Sequence, residues 1–402
     1  MMKFIYLTNS RLPGEKAHAI QIMKTCAALA ADVDIQIVHP RRVNRPWLQS
    51  VVDLQKYYRL PRDVERRLVY SLDLFSIVPS LPFGKSLAYK VVFAMQTITY
   101  HIALLPLLLT SSADVYYTRD SLTAALLVLL RKARISTVIY ESHTFPSSRL
   151  GLRLSRWLVN KLDGIVVLTN LLATRYLELG VPEKRISVVP DAVDLQDFGV
   201  FSKSAARHHL SIDENLFVVM YVGHMYHWKG VDTLVEAASQ LSDNEQIWLV
   251  GGTPEELPRI EQLIKQLEIA NIHLVGYVPY EHISTYMAAA DVLVIPNSGD
   301  SDISRFYTSP IKLFEYMAAK RPIIASNLPS LREIIEHDET ALLVQPDNPS
   351  SLAIAIQRLR SDLHLSSRLV DNATVLVSQY TWSRRSKRIL DFVKSVISIS
   401  SE

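Results

Sequence analysis

Residues 307–326, YTSPIKLFEYMAAKRPIIAS, read as a loop, a helix start, an amphipathic helix and a buried strand. Ser309 is expected at the N-cap and Pro310 at the first helical position, because a hydroxyl can accept from an orphan amide and proline pre-sets φ. Ile311, Phe314 and Met317 then fall on one face. Such a helix start gathers unpaired N–H groups and roughly half a positive charge, which suits an anionic diphosphate. Glu315 lies about 7.5 Å further along the axis at ~1.5 Å per residue. That rise matches the step from a diphosphate to the ribose of the same nucleotide, where a carboxylate can accept from two hydroxyls. The plain alternative is a structural helix with a solvated glutamate.

The same helix-then-strand alternation extends in both directions. Before residue 190 the strands are KFIYLT, DIQIVH, VYYT, TVIYE, GIVVLT and ISVVP, with helices at 18–30 and 121–130 between them. After it come FVVMYVG, QIWLVGG, IHLVG, DVLVIP and PIIAS, with helices at 230–241, 255–268, 281–289 and 329–336. Continuous apolar strands separated by helices imply parallel sheets covered on both faces, with ligands at the carboxyl ends of strands. A length of 402 residues exceeds one ordinary core, so two domains are expected. Asn348 and Pro349 should open another helix, and 382–396 the last one.

Composition is that of a globular chain, 49% apolar and 21% charged. The single cysteine, Cys26, excludes an intramolecular disulfide and falls in the apolar pattern of a helix, which makes it a core residue. MMKFIYL is too short an apolar run for a signal peptide, so a cytoplasmic location is expected. Charge is uneven: residues 1–195 hold 25 Lys or Arg against 15 Asp or Glu, whereas the remainder is net acidic.

The opening stretch resembles the signature of the family 4 glycosyltransferases, retaining enzymes of the GT-B fold in which a glutamate beginning EYMA or EAMA holds the donor ribose. RLPGEKAHAIQIMKTCAAL, YESH at 140–143, VVPDAVDLQDF, YVGHMYHWKGVDTLVEA and ADVLVIPNS add matches in the family's order. The resemblance implies α/β architecture with two Rossmann-like parallel-sheet domains facing a cleft. Residues 1–190 would bind acceptor, 191–380 the nucleotide sugar, and 381–402 would form a helix crossing back to the first domain.

Carried over residue by residue, the resemblance makes His143, Lys229 and Glu315 the catalytic candidates. His143 would contact the transferred sugar and Lys229 would balance the diphosphate. Gly14, Lys16 and His18 would reach donor phosphate and acceptor, and Gly223, His224 and Gly251 would line the phosphates. Tyr277, Val278 and Pro279 would frame the nucleobase through backbone groups, with Tyr307, Ser309, Pro310, Ile311 and Lys312 completing the donor site. Two positions depart from the family pattern: His224 stands where Arg is usual, and Tyr307 where a glutamate usually contacts sugar hydroxyls. His224 would make phosphate neutralisation weaker or pH-dependent. Asp300 and Asp302 imitate a metal-binding DxD but precede the Ser-Pro loop, so a loop role is expected.

The implied activity is retaining, metal-independent transfer of a hexose-type sugar from a UDP- or GDP-sugar to a glycan or lipid-linked acceptor, in cell-envelope or exopolysaccharide synthesis. No cofactor is expected, since the nucleotide sugar is a co-substrate. The competing reading is a weak or inactive relative that binds nucleotide or glycan. Residues 41–109 interleave Arg41, Arg42, Arg45, Lys56, Arg59, Arg62, Arg66, Arg67, Lys85 and Lys90 with Trp47, Tyr57, Tyr58 and Phe83. That pattern suits either a solvated face or peripheral binding to an anionic membrane surface; no nucleic-acid motif accompanies it. Within it, 87–109 reads as a buried or interfacial helix rather than a span, because Lys90, Gln96, His101 and Pro106 interrupt it.

Overall fold

The structure, a computed structural model, describes residues 1–14, 16–75, 85–131 and 136–401. Phe83, from the basic-aromatic segment, lies outside the described residues. The chain divides into two units, Met1–Val167 with Ala173–Val189 and Arg385–Glu402, and Leu168–Leu172 with Pro190–Arg384.

The first unit alternates β1 (Lys3–Leu7), α1 (Ala17–Leu29), β2 (Asp34–Pro40), α2 (Leu54–Tyr57), β3 (Glu65–Val69), α3 (Lys85–Thr110) and β4 (Val115–Thr118). It continues through α4 (Ser121–Leu129), β5 (Thr137–Ser142), α5 (Arg149–Val159), β6 (Gly164–Val167), α6 (Asn170–Glu178) and β7 (Ile186–Val188). All pairings are parallel and the order is β3-β2-β1-β4-β5-β6-β7. The order reverses between β1 and β4. Right-handed crossovers therefore carry α1 to one face of the sheet and α3, α4 and α5 to the other. On the α1 face Phe4, Tyr6, Ile35 and Ile37 pack with Ile22, Met23 and Cys26, whose thiol is free and fully buried.

The second unit holds α7 (Lys203–Leu210), β8 (Phe217–Val222), α8 (Val231–Ala237), β9 (Glu245–Val250), α9 (Leu257–Gln266), β10 (Ile272–Gly276), α10 (Tyr280–Ala289) and β11 (Val292–Ile295). Then follow α11 (Ile311–Ala318), β12 (Ile323–Ser326), α12 (Pro329–Arg332), β13 (Leu342–Val344), α13 (Pro349–Ser361), α14 (Leu363–Val377) and α15 (Trp382–Ser401). Its six parallel strands run β10-β9-β8-β11-β12-β13, reversing between β8 and β11. Asn348 caps α13 as its sequence suggests, its side chain accepting from the Ser351 N–H at 2.9 Å. From Arg385 onward α15 belongs with the first unit, packing Ile389 and Val393 into its core.

One expectation needs correcting. Pro310, not Ser309, is the N-cap of α11: it is extended at φ −76° and ψ 123°, and Ser309 Oγ accepts instead from the Asp191 N–H at 3.2 Å. Two of the basic residues of 41–109 make local contacts. Arg62 donates to Ala30 O beyond the end of α1, while Arg42 is paired with Asp73 and lies over the Phe75 ring.

Among the described residues Leu87–Thr110 is the one stretch long and apolar enough to cross a membrane. It covers the sheet, burying Gln96, Tyr100, Leu104 and Leu107, with the Tyr100 hydroxyl donating to Thr8 O at 2.9 Å.

Candidate functional site

In an open parallel sheet, ligands bind beyond the carboxyl ends of the strands where the order reverses. In the second unit that point lies between β8 and β11, and the residues just past these strands are Gly223–Lys229 and the loop leading to α11. Gly223 has φ +140°, and a β-carbon there would come within 2.8 Å of Lys312 Nζ. Gly251, past β9, has φ +107°, and a β-carbon there would lie 2.5 Å from Gly223 O. The two glycines let these chain ends stack closely and keep the space above Gly223 open to the lysine.

Lys312 is the most unusual group here. Its side chain is buried, its Nζ lies 3.8 Å from the Tyr221 ring centroid, and it makes no hydrogen bond among the described residues. Burial, together with the charge of Lys229, pushes its pKa well below the usual lysine range, and Glu315 opposes this. Lys229 is half-buried on the short helical turn after Tyr226, with Nζ 3.9 Å from the Trp228 ring centroid. Burial brings its pKa down to about 7. Two desolvated lysines, with no carboxylate among the described residues bonded to either, form a cradle for an anion, since an incoming negative charge relieves both penalties at once. The α11 N-terminus adds to it, for no side chain caps its first amides.

Glu315 is buried rather than solvated, and the Tyr280 hydroxyl donates to it. Tyr280 opens α10 directly after Tyr277, Val278 and Pro279, the last being the N-cap of that helix. The ribose and nucleobase candidates are thus linked. His224 sits differently from the expected phosphate cation: its Nδ1 is 3.1 Å from Glu256 Oε1 and its ring stacks on Tyr226, with centroids 5.0 Å apart. Burial raises the Glu256 carboxyl, but hydrogen bonds from His224 and the Met225 N–H outweigh it and hold the pKa low. Tyr307 is buried in a turn beside Phe306. Among the described residues no cluster of His, Cys, Asp or Glu has metal-holding geometry.

In the first unit, Gly14 follows β1, but its N–H donates to the Tyr58 hydroxyl at 2.8 Å, so that amide is already paired. Lys16 is exposed at the start of α1 and His18 is half-buried in its first turn. His143, just past β5, is 2.7 Å from Glu141 through Nε2. Glu141 is fully buried and accepts from Gln21 at 2.6 Å, from Arg385 at 2.8 Å and from the Tyr117 hydroxyl. Burial would raise its pKa, yet Arg385 and His143 hold it well below the carboxylate range. Burial, then Arg119, lowers His143 to about 4 despite the Glu141 hydrogen bond. A neutral imidazole facing a carboxylate donates through Nε2–H, which leaves Nδ1 as an acceptor.

Sequence reading alone missed Glu141, Gln21, Arg119, Arg385, Glu256 and Tyr280. The spacing in YESH was a usable signal, since residues two apart on a strand share a face.

Two family descriptions match the chain, Glycosyltransferase Family 4 over residues 57–197 and Glycosyl transferases group 1 over residues 217–362. The chain belongs to the family 4, group 1 glycosyltransferases. An uncharacterized glycosyltransferase of Methanocaldococcus jannaschii is 26% identical over 220 residues, 53% of this chain and 55% of that protein. The chain spans about half the length of the curated relatives it matches. Its fold is that of sucrose-phosphate synthase from Thermosynechococcus elongatus, at TM-score 0.77 and 20% identity over 99% of this chain and 100% of the other. Anabaena Alr3699/HepE, solved with UDP and glucose, superimposes at TM-score 0.72 and 19% identity over 100% of both chains. These neighbours are GT-B structures with two Rossmann-like domains.

Proposed function

We propose that the protein is a retaining hexosyltransferase that takes its sugar from a UDP- or GDP-sugar and gives it to a glycan or lipid-linked acceptor of the cell envelope or an exopolysaccharide. The observation that carries this reading is the meeting of Lys312, Lys229 and the uncapped α11 start around Gly223, one turn from Glu315. The UDP complex of Anabaena Alr3699/HepE supports a nucleotide donor.

The diphosphate is the leaving group. As the C1–O bond breaks, its electron pair goes to the phosphate oxygen, whose charge Lys229, Lys312 and the first amides of α11 stabilise. Glu315 accepts from the ribose hydroxyls and fixes the nucleotide along the helix. The acceptor oxygen bonds to C1 on the face the diphosphate leaves, and its proton passes to the leaving phosphate. His143, neutral and oriented by Glu141, accepts from a sugar hydroxyl through Nδ1. In this account no metal is needed and the enzyme works on the cytoplasmic side of the membrane.

The tie between His224 and Glu256 favours a second reading, a relative that binds nucleotide but turns it over poorly. Incubation with a panel of UDP- and GDP-sugars, with product anomers read by NMR, separates the two. Release of nucleotide with retained configuration supports the transferase, and an inverted product contradicts retention. Tight nucleotide binding without turnover of any donor favours the second reading.

A further inference from the structure

The helices α3, α4 and α5 bury apolar residues on one side and expose others on the opposite side. In α3 the buried side carries Gln96, Thr97 and Tyr100 together with Leu104, Leu107 and Leu108, yet Leu87, Val91, Ile98, Ile102 and Leu109 are exposed, Leu87 to 68% and Ile102 to 60%. At 100° per residue these five fall within a narrow stripe, about 33 Å long at ~1.5 Å per residue. α4 packs beside α3 and exposes Leu122 and Leu129, also on one stripe. α5 packs beside α4 and exposes Leu150, Leu154 and Trp157. A water-facing helix ordinarily shows its polar side outward, so three adjacent helices that show leucine, isoleucine and tryptophan are covered by something in use.

Charge indicates what covers them. None of α3, α4 and α5 contains an Asp or Glu. The exposed cations on and beside them are Lys90, Arg149, Arg153, Arg156 and Lys161, with Lys161 Nζ 5.9 Å from the Trp157 ring centroid. A second copy of the chain fits poorly, because a two-fold contact would set these arginines against their own counterparts with no acid between. Aliphatic stripes bordered by arginine, lysine and an indole match the boundary between headgroups and acyl chains of an anionic bilayer.

We propose that the α3–α4–α5 face seats the protein in the plane of an anionic membrane, with the aliphatic stripes entering the headgroup boundary and Arg149, Arg153, Arg156 and Lys161 meeting lipid phosphates. This surface stands whether or not the transferase reading holds, since none of its residues belongs to the candidate site. Its α3 part overlaps the basic segment of residues 41–109, sharing Lys90, whereas α4 and α5 lie outside that segment.

The test is flotation of the full chain with vesicles of phosphatidylcholine alone or with 30% phosphatidylglycerol, in low salt. Two variants change only exposed side chains: Ile98→Ser with Ile102→Ser, and Arg149→Ser with Arg153→Ser and Arg156→Ser. Unchanged thermal unfolding certifies both folds. The account expects most wild-type protein to float with the anionic vesicles and little with the neutral ones. Each variant should lose binding several-fold, and 0.5 M salt should weaken the wild type. Absence of flotation with anionic vesicles overturns the proposal, as does flotation that both variants leave intact. Sedimentation velocity supplies a third overturning result: a dimer abolished by the Ile98→Ser, Ile102→Ser variant assigns the face to a second copy.

Discussion

Lys312 Nζ stands 2.8 Å from the point that a β-carbon on Gly223 would occupy, so the lysine's position depends on that glycine having no side chain. Gly223→Ala should therefore displace the ammonium and strain a backbone at φ +140°. Losing one charged contact to a diphosphate, about 1.5–3 kcal/mol, predicts a tenfold or greater drop in affinity for UDP or GDP by calorimetry. Wild-type affinity in a folded variant would show that Lys312 does not touch phosphate.

Glu315→Ala should weaken nucleotide binding by a similar amount, because two ribose hydroxyls lose an ionised acceptor. Tyr280→Phe, which removes only the hydroxyl bonded to Glu315, should cost less. A 2′-deoxynucleotide titrated against wild type should reproduce part of the Glu315→Ala loss; if the deoxynucleotide binds like the ribonucleotide, the ribose role is wrong.

The depressed pKa of Lys229, about 7, gives nucleotide binding a pH dependence. A bound diphosphate favours the protonated lysine, so complex formation takes up protons when the free lysine is partly neutral, and affinity falls as pH rises above 7. Lys312 has the same sign, while Glu315 and the His224–Glu256 pair are the other charged or titratable groups nearby. Calorimetry at pH 8 in buffers of different ionisation enthalpy should register net proton uptake. Proton release, or none, would remove the lysines from the phosphate site.

Stability should fall on mild acidification. His39 and His143 bind a proton at about pH 4 when folded but near pH 6.5 when unfolded, so within that window the unfolded chain holds more protons. Each contributes a slope of about 1.4 kcal/mol per pH unit there, toward unfolding as pH drops. Glu141 adds a loss at lower pH, because its contribution is present above the unfolded carboxylate pKa and disappears as pH falls toward its depressed folded value. Urea titrations from pH 7 to pH 4.5 should show the decline, and His143→Asn should flatten it.

Breaking the Glu141 network should be costly even at neutral pH. Glu141→Leu leaves the Arg385 guanidinium buried without its carboxylate, and removing one partner of a buried pair costs on the order of 3–5 kcal/mol. A midpoint unchanged in denaturant would mean that Arg385 finds another partner.

Local chemistry was legible before the structure. The alternation of apolar strands with helices is a short-range pattern and gave both parallel sheets, and the Ser-Pro start followed by Glu315 pointed to a helix terminus at a strand end. What the residues could not disclose lies far apart in the chain. The Ser309 hydroxyl accepts from the Asp191 N–H, 118 positions away, and Pro310 is the cap. Arg385 meets Glu141 across 244 positions, so YESH showed its histidine but not the guanidinium that keeps its glutamate ionised. Lys312 was a donor-site candidate by resemblance, but its burial over Tyr221 and beside Gly223 depends on β8, about ninety positions away in the chain. The exposed stripe on α3 was hidden for the same reason, because periodicity marks faces without saying which one the sheet covers.

The most direct test of the account is calorimetric titration of the wild type and Lys312→Met with uridine, guanosine, UDP and GDP. A lysine that holds the diphosphate predicts that the substitution weakens the preferred nucleoside diphosphate tenfold or more and leaves the matching nucleoside unchanged. Equal affinity of wild type and variant for the diphosphate, or an equal loss for nucleoside and diphosphate, would contradict it.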